Sequence, residues 1–536
     1  MSLVLHGSTA ARFTRRQSFF SAFVLILFAT APYVPAMKAG WFFDSLILLD
    51  KPDFHSVETA ARELWDGIWA PGQSLTILTF SLNRAMNETL GRAGTDPRIF
   101  LATNIAIHVG TVLLFYCLLR ELARISNRAI HPFAPFLAAA IFAVHPLCVT
   151  SVAYIVQRRG ELAAMFFLAG LVAFLRARVA ARLPQTVFFA SLTALCAWSA
   201  MHSKSAGATL PVAILALEFC IRAPHRDRCI RFLRFAVPAL LVCAAAAVWF
   251  LVKINALDWQ NDRFNAPATM VGELGFTWPQ YLLTQARAFA QYWSLIFWPA
   301  PSRLCIDHDY VVTRDFRALV PWLCTLFHAT MLALATWWAC RGRLLTGFGV
   351  LLFYVALLAW IAPPQPILFV EYRLYLPLAA ALMTAAGLIS PRIAAAWLPV
   401  LAAPIIVLLA VITWQRNTVL ADNISLWEDV ARKNPDLFRG HYNLANALFQ
   451  NTRFEEAVLH YRESCRIDPE DYRCHFNLAN TLMKLGRPRE AQSEYQETVR
   501  RKPDHAGARA ALRRLGIDVQ VGIPGKQDDS GKPPGY

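Results

Sequence analysis

Apolar and polar positions are patterned in two ways along this chain. Up to about residue 415, long apolar runs are separated by short basic segments. Beyond it, apolar positions recur at helical spacing within polar stretches. The first run, Phe19–Met37, follows Arg12, Arg15 and Arg16. It has no convincing small-residue cleavage site, contains Pro32 and Pro35, and is followed by further runs, so it reads as an uncleaved span. Other runs lie at 99–119, 133–150, 161–175, 185–201, 206–221, 233–252, 318–340, 345–362, 374–390 and 394–414. Together they predict an all-α, polytopic bundle of about eleven spans over 1–415. Two connections are long, 39–98 and 253–317. Both hold amphipathic stretches, Val57–Trp69 and Tyr281–Trp298, suited to a membrane interface.

The second pattern is a repeat. His441-Tyr-Asn-Leu-Ala-Asn-Ala-Leu returns 34 residues later as His475-Phe-Asn-Leu-Ala-Asn-Thr-Leu. Arg453, Ala457 and Tyr461 return as Arg487, Ala491 and Tyr495, and Pro435, Pro469 and Pro503 keep the same period. Helix-turn-helix units of this length, with alanine at close-packing positions and proline at the unit's end, are tetratricopeptide repeats. The spacing predicts an α-solenoid over 416–517, with full repeats at about 439–472 and 473–506 and capping helices near 418–433 and 505–515. Residues 518–536 read as a disordered tail, because Gly522–Tyr536 is rich in Gly, Pro, Asp and Lys. Asn443, Asn446, Asn477 and Asn480 fall on the first helix of each repeat. They read either as a groove for a protein acceptor or partner, or as repeat identity with local hydrogen bonding.

Composition sharpens this division. Hydrophobic residues make up 56% of the 536 and charged residues 16%, too apolar for a soluble enzyme of this size. The net charge of +16 raises nucleic acid as a partner. From Arg416 onward, however, 19 basic residues face 17 acidic ones, so almost all of the excess lies among the apolar runs. With the N-terminus inside, the inner loops collect arginines 12, 15, 16, 120, 124, 128, 176, 178, 182, 222, 226, 228, 231, 234, 341, 343 and 392. That is the positive-inside pattern, and it predicts a membrane-anchored chain with its repeats on the extracytoplasmic side and no nucleic-acid partner.

Candidate chemistry gathers on the expected outer side. Ionisable residues near a bilayer are costly, so each is a functional candidate. They are Asp44 after the first span; His145, Gln157, Arg158, Arg159 and Glu161 between the third and fourth; Lys204; Arg303 and His308; and Glu371 with Arg373. Arginine is suited to hold a lipid phosphate in bidentate fashion. Glu161 could pair with that arginine or act as an acid or base. The eleven cysteines form no C-x-x-C pair. Cys465 and Cys474 lie in the repeat region, where a disulfide is permitted outside the cytoplasm. No P-loop, dinucleotide fingerprint or metal-ligand spacing is present, so neither cofactor nor metal is expected.

These residues, in order, resemble membrane glycosyltransferases of the GT-C superfamily fused to tetratricopeptide repeats, most closely bacterial relatives of the transmembrane and tetratricopeptide-repeat O-mannosyltransferases. The resemblance covers roughly residues 18–515. It is carried by Phe43-Asp44-Ser45, Thr76–Asn83, Asn104–His108, His145-Pro146, Gln157-Arg158, Ser203-Lys204-Ser205, Leu282–Gln285, Pro301–Arg303, Glu371–Pro377 and the repeats. Where the family often has a second acid, this chain has Ser45. The resemblance implies transfer of a sugar, a hexose, from a polyprenyl-phosphate donor to a protein or envelope glycan on the extracytoplasmic side, without metal. Asp44 would be the general base, with Glu161 beside it as a catalytic candidate. Arg158, then Arg159, Arg303 and Arg373, with Lys204, would stabilise the leaving phosphate. The alternatives are a surface-polysaccharide polymerase or ligase, and a non-enzymatic membrane-anchored scaffold for envelope assembly.

Overall fold

A chain segment inside a bilayer has no water to satisfy its backbone, and helix formation satisfies it locally. Helices and turns are the only regular structure among the described residues. The computed structural model describes residues 15–41, 45, 49, 52–67, 72–126, 128–225, 227, 229, 230, 234, 277–361, 367–389, 393 and 397–517. Asp44, the expected span at 233–252, the 253–276 part of the second long loop and the tail 518–536 lie outside the described residues. The chain divides into two units, 1–306 with 310–422, and 307–309 with 423–536.

The first unit contains α1 (Arg15–Thr30), α2 (Val57–Asp66), α3 (Ser74–Thr89), α4 (Pro97–Ile125), α5 (Ala134–Val144), α6 (Val149–Val152) and α7 (Arg158–Val179). It continues with α8 (Leu183–Ser203), α9 (Leu210–Arg222), α10 (Trp278–Phe297), α11 (Leu319–Cys340), α12 (Leu344–Leu357), α13 (Tyr375–Leu388) and α14 (Trp397–Leu420). Among the described residues, seven helical stretches are long and apolar enough to cross a membrane, or eight if α5 and α6 form one bent span. The protein is a multi-pass membrane protein. The expected runs at 345–362 and 374–390 form shorter helices, Leu344–Trp360 and Tyr375–Leu388. The last apolar run ends at 414, but α14 continues to Leu420. Its extra turn is held from inside, where Asn417 donates to the Pro32 carbonyl at 2.9 Å.

The expected span at 133–150 is bent by 52° between α5 and α6. Pro146 has no N–H to continue the helix and disfavours helical backbone at the preceding residue, and His145 is extended. The freed groups are all taken within the protein. The Val144 carbonyl accepts from Thr413 Oγ1 at 2.6 Å. His145 Nδ1 accepts from the Leu147 N–H, and its Nε2–H donates to the Ile296 carbonyl on α10. Elsewhere, α12 and α13 pack through small residues. A Cβ on Gly349 would lie 2.4 Å from Thr384 Oγ1, so only glycine permits this approach.

The second unit is built from α15 (Asn423–Lys433), α16 (Phe438–Gln450), α17 (Phe454–Ile467), α18 (Tyr472–Lys484), α19 (Pro488–Arg501) and α20 (Ala506–Arg514). Helices α16–α17 and α18–α19 are the two repeats. Ala445, Ala457, Ala479 and Ala491 are buried and let paired helices approach closely. Each repeat closes on the same bond: Tyr461 donates to Asn446 Oδ1 at 2.5 Å, and Tyr495 to Asn480 Oδ1 at 2.7 Å. Asp307, from the loop that joins this unit, accepts from Arg439 at 2.8 Å, and Asn434 donates to the Asp307 carbonyl.

The turn between paired helices requires a left-handed residue. Gly486 takes it at φ 70° and Thr452 at φ 60°. A β-branched residue is strained there by roughly 1–2 kcal/mol, whereas glycine is not. Thr452→Gly should therefore raise the temperature at which the repeats melt, followed by calorimetry of the purified protein; an unchanged or lower transition would refute the strain. Cys465, near the end of α17, is disulfide-bonded to Cys474 at the start of α18. Replacing both with serine should cost about 2–3 kcal/mol of repeat stability, as expected for a short closed loop. Thiol labelling of the native chain without reductant should leave these two unmodified, and their ready labelling would disprove the bond.

Candidate functional site

The residues singled out along the chain separate into distinct environments. Arg158 opens α7 and is fully buried. Its Nε donates to Asn104 Oδ1 at 2.7 Å on α4, one terminal nitrogen to the Phe100 carbonyl at 2.7 Å, and the other to both oxygens of Thr79 on α3 at 3.2 Å. The guanidinium also lies over the Phe80 ring, 4.4 Å from its centroid. This geometry ties three helices together. Asn104 completes the tie by donating to the Val152 carbonyl on α6.

Lys204 is placed differently. It occupies the break after α8, before the turn Ser205–Thr209. Thr76 on α3 holds that break by donating to the Ser203 carbonyl. A Cβ on Gly207 would lie 2.2 Å from the Ala200 carbonyl carbon, so the turn folds back onto α8 only with glycine there. The Lys204 ammonium then sits over two rings, 4.8 Å from Trp360 and 5.1 Å from Tyr372. Arg373 shares the same indole, 4.6 Å from the Trp360 centroid, while donating to the carbonyls of Ile367 and Leu368.

These two cations line a cleft. Gly160 lies beside Lys204, and Ala163, Ala164 and Phe167 continue along α7 as an apolar wall. Tyr372, Tyr375, Leu376 and Pro377 form the facing wall. Lys204 and Arg373 are both more than nine-tenths buried. Among the described residues, neither is ion-paired with a carboxylate. Burial, with the charges of Arg159 and Arg373 added, pushes the Lys204 ammonium well below its ordinary range. Like charges gathered on apolar walls favour an anion between them, preferably one attached to an apolar chain.

Glu161 lies beyond this cleft, on an adjacent face of α7. It is fully buried, and neither carboxylate oxygen has a hydrogen-bond partner. Gln157, one turn earlier, is buried with both amide atoms unpartnered, as are the hydroxyls of Thr150, Ser151 and Tyr33. Tyr375 also lines the cleft. Its hydroxyl donates to His108 Nδ1 at 2.7 Å, since the His108 Nε2–H is given to the Ala143 carbonyl. Ser45 accepts from the Val156 N–H just ahead of α7.

The remaining residues have other surroundings. His145 caps the bend between α5 and α6. Glu371 is buried and accepts from the Cys305 N–H at 2.6 Å. Arg303 is partly exposed and bonds Ser294 and the Trp298 carbonyl. Arg159 is half-buried above the cleft, and His308 belongs to the repeat unit. In the repeats, Asn446 and Asn480 accept from tyrosines, and Asn477 donates to Tyr442 and Asn446; Asn443 is half-buried. Sequence reasoning gave no role to Gly160 or Trp360, and it met Thr79 only inside the Thr76–Asn83 segment. Only Gly160 carried a signal, a residue without a side chain between Arg159 and Glu161.

Tetratricopeptide repeat models match residues 422–472 and 448–515. A protein O-mannosyl-transferase of Caenorhabditis elegans is 25% identical over 477 residues, covering 83% of this chain and 62% of that protein. The human protein O-mannosyl-transferase TMTC4 is 24% identical over 56% of this chain and 43% of its own length. Human TMTC1 is 33% identical over 144 residues, 25% of this chain and 15% of that protein. The chain therefore spans about three fifths of the nematode relative and less than half of the human ones. The protein is a multi-pass membrane protein with tetratricopeptide repeats, and it is similar over most of its length to protein O-mannosyl-transferases.

Proposed function

We propose that this protein is a GT-C-type membrane glycosyltransferase that transfers a hexose from a polyprenyl-phosphate donor to a protein on the extracytoplasmic face of a bacterial inner membrane. The observation that carries this reading is the cleft holding Lys204 and Arg373. Two buried cations with no acidic partner among the described residues suit a phosphate, and the walls of Ala163, Ala164, Phe167 and Leu376 suit a prenyl chain. The names of the relatives support a glycosyl transfer to protein.

In this reading the acceptor hydroxyl attacks the anomeric carbon as its proton passes to a carboxylate, Asp44. The bond from that carbon to the phosphate oxygen breaks, and the phosphate keeps the electron pair. Lys204 and Arg373 stabilise the charge it gains, and Arg159 adds to their field. Arg158 serves as a positioning residue, because its donors already hold α3, α4 and α7. Glu161, buried beside Tyr375, acts as a second carboxylate for the acceptor side.

The test uses purified protein in nanodiscs with a panel of polyprenyl-phosphate hexoses and an acceptor peptide library read by mass spectrometry. Asp44→Asn should abolish transfer while leaving donor binding intact; transfer at the wild-type rate would remove Asp44 as base. Lys204→Met and Arg373→Gln should each weaken donor binding roughly ten- to a hundredfold, the usual worth of a hydrogen bond to a charged group. Unchanged donor affinity in both would move the phosphate out of this cleft. A chain that binds no donor at all would act as an envelope scaffold instead.

A further inference from the structure

Both repeats carry a histidine at the same place, His441 and His475, but the residue that faces it across the helix hairpin differs. In the second repeat His475 Nδ1 donates to Glu494 Oε2 at 2.7 Å, while its Nε2–H donates to the Pro469 carbonyl. In the first repeat the residue at the Glu494 position is His460, one 34-residue period earlier. His441 keeps the same support, Nε2–H to the Pro435 carbonyl at 3.0 Å. Its Nδ1 instead faces His460 Nδ1 at 3.1 Å.

We infer that His441 and His460 form a binding site for a divalent transition-metal ion of the Zn2+ type on the repeat unit. The carbonyl bond at Nε2 fixes His441 in the tautomer whose Nδ1 lone pair points at His460. A backbone carbonyl in that role is the usual outer support of a metal-binding histidine. The two rings are inclined by 25° with centroids 5.4 Å apart. Two nitrogens on one tetrahedral zinc, each at about 2.0–2.1 Å, lie about 3.3 Å apart, close to the separation found here. His460 frees its Nδ1 by carrying its proton on Nε2.

The surroundings are acidic. Glu428 on α15 and Glu456 and Glu463 on α17 act on His460, and Glu463 also acts on His441. Glu456 is paired with Arg453, and Glu463 with Arg466. Glu428 is exposed, and water would complete the shell. A second ligand-like cluster, Cys465, Cys474 and His475, is closed to metal by its disulfide and by the two bonds of His475.

The test is Zn2+ titration of the full-length, tag-free protein in detergent without reductant, read by calorimetry and by competition with a chromogenic chelator. One equivalent is expected to bind. His460→Glu restores the pair seen in the second repeat and should fold normally, with the same melting transition in metal-free buffer. That variant and His441→Gln should each bind at least tenfold more weakly. Affinity of the unaltered protein should fall as pH drops below 6, because protonated imidazoles cannot ligate. No uptake by the unaltered chain, or equal uptake by both variants, would overturn the site and leave the pair as a hydrogen-bonded clasp.

Discussion

The first unit depends on the solvation of one guanidinium. Arg158 sits where water does not reach, and an uncompensated charge there would be prohibitive. The protein supplies its solvation from three helices: Thr79 on α3, Phe100 and Asn104 on α4, and the faces of Phe80 and Phe100. Meeting that demand locks the first turn of α7 in position and rotation. That turn then presents Gly160 to the cleft and Glu161 to the buried polar cluster on the adjacent face. Arginine at this position is a constraint first and a chemical group second.

The same logic explains the irregular backbone nearby. A bend such as that between α5 and α6 survives at membrane depth only if its freed groups find partners. Thr413, His145 and Ile296 provide them from α14, the bend itself and α10. The break between α8 and α9 is handled alike, with Thr76 and Gly207 permitting the turn that carries Lys204. The expected outer-side chemistry thus lies on short breaks between helices. There a side chain can reach a site while its backbone is still satisfied.

The cleft and the repeats rest on opposite physical balances. In the cleft, Lys204 and Arg373 have no acidic partner among the described residues and lean on the Trp360 ring, an arrangement that leaves positive potential directed into an apolar groove. In the repeats, Asn446, Asn477 and Asn480 are largely consumed by internal bonds to tyrosines and to each other. These asparagines serve repeat geometry.

Sequence periodicity alone determined that the chain is all-helical, that it crosses a membrane several times and that it ends in 34-residue repeats. Hydropathy and spacing are local properties, and a bilayer or a helix hairpin reads them locally. The ionisable residues worth attention were also legible, because charge is rare among such apolar runs. Their separation was not legible. Nothing in Gln157-Arg158-Arg159-Gly160-Glu161 says that one arginine is spent on helix packing, that the glycine opens onto a lysine 44 positions away, or that the glutamate stays without a hydrogen-bond partner. Those outcomes depend on how α7 is rotated against α3, α4 and α13. Rotation is set by long-range packing and by which polar groups across the bundle can satisfy a buried charge, and that only the tertiary structure decided.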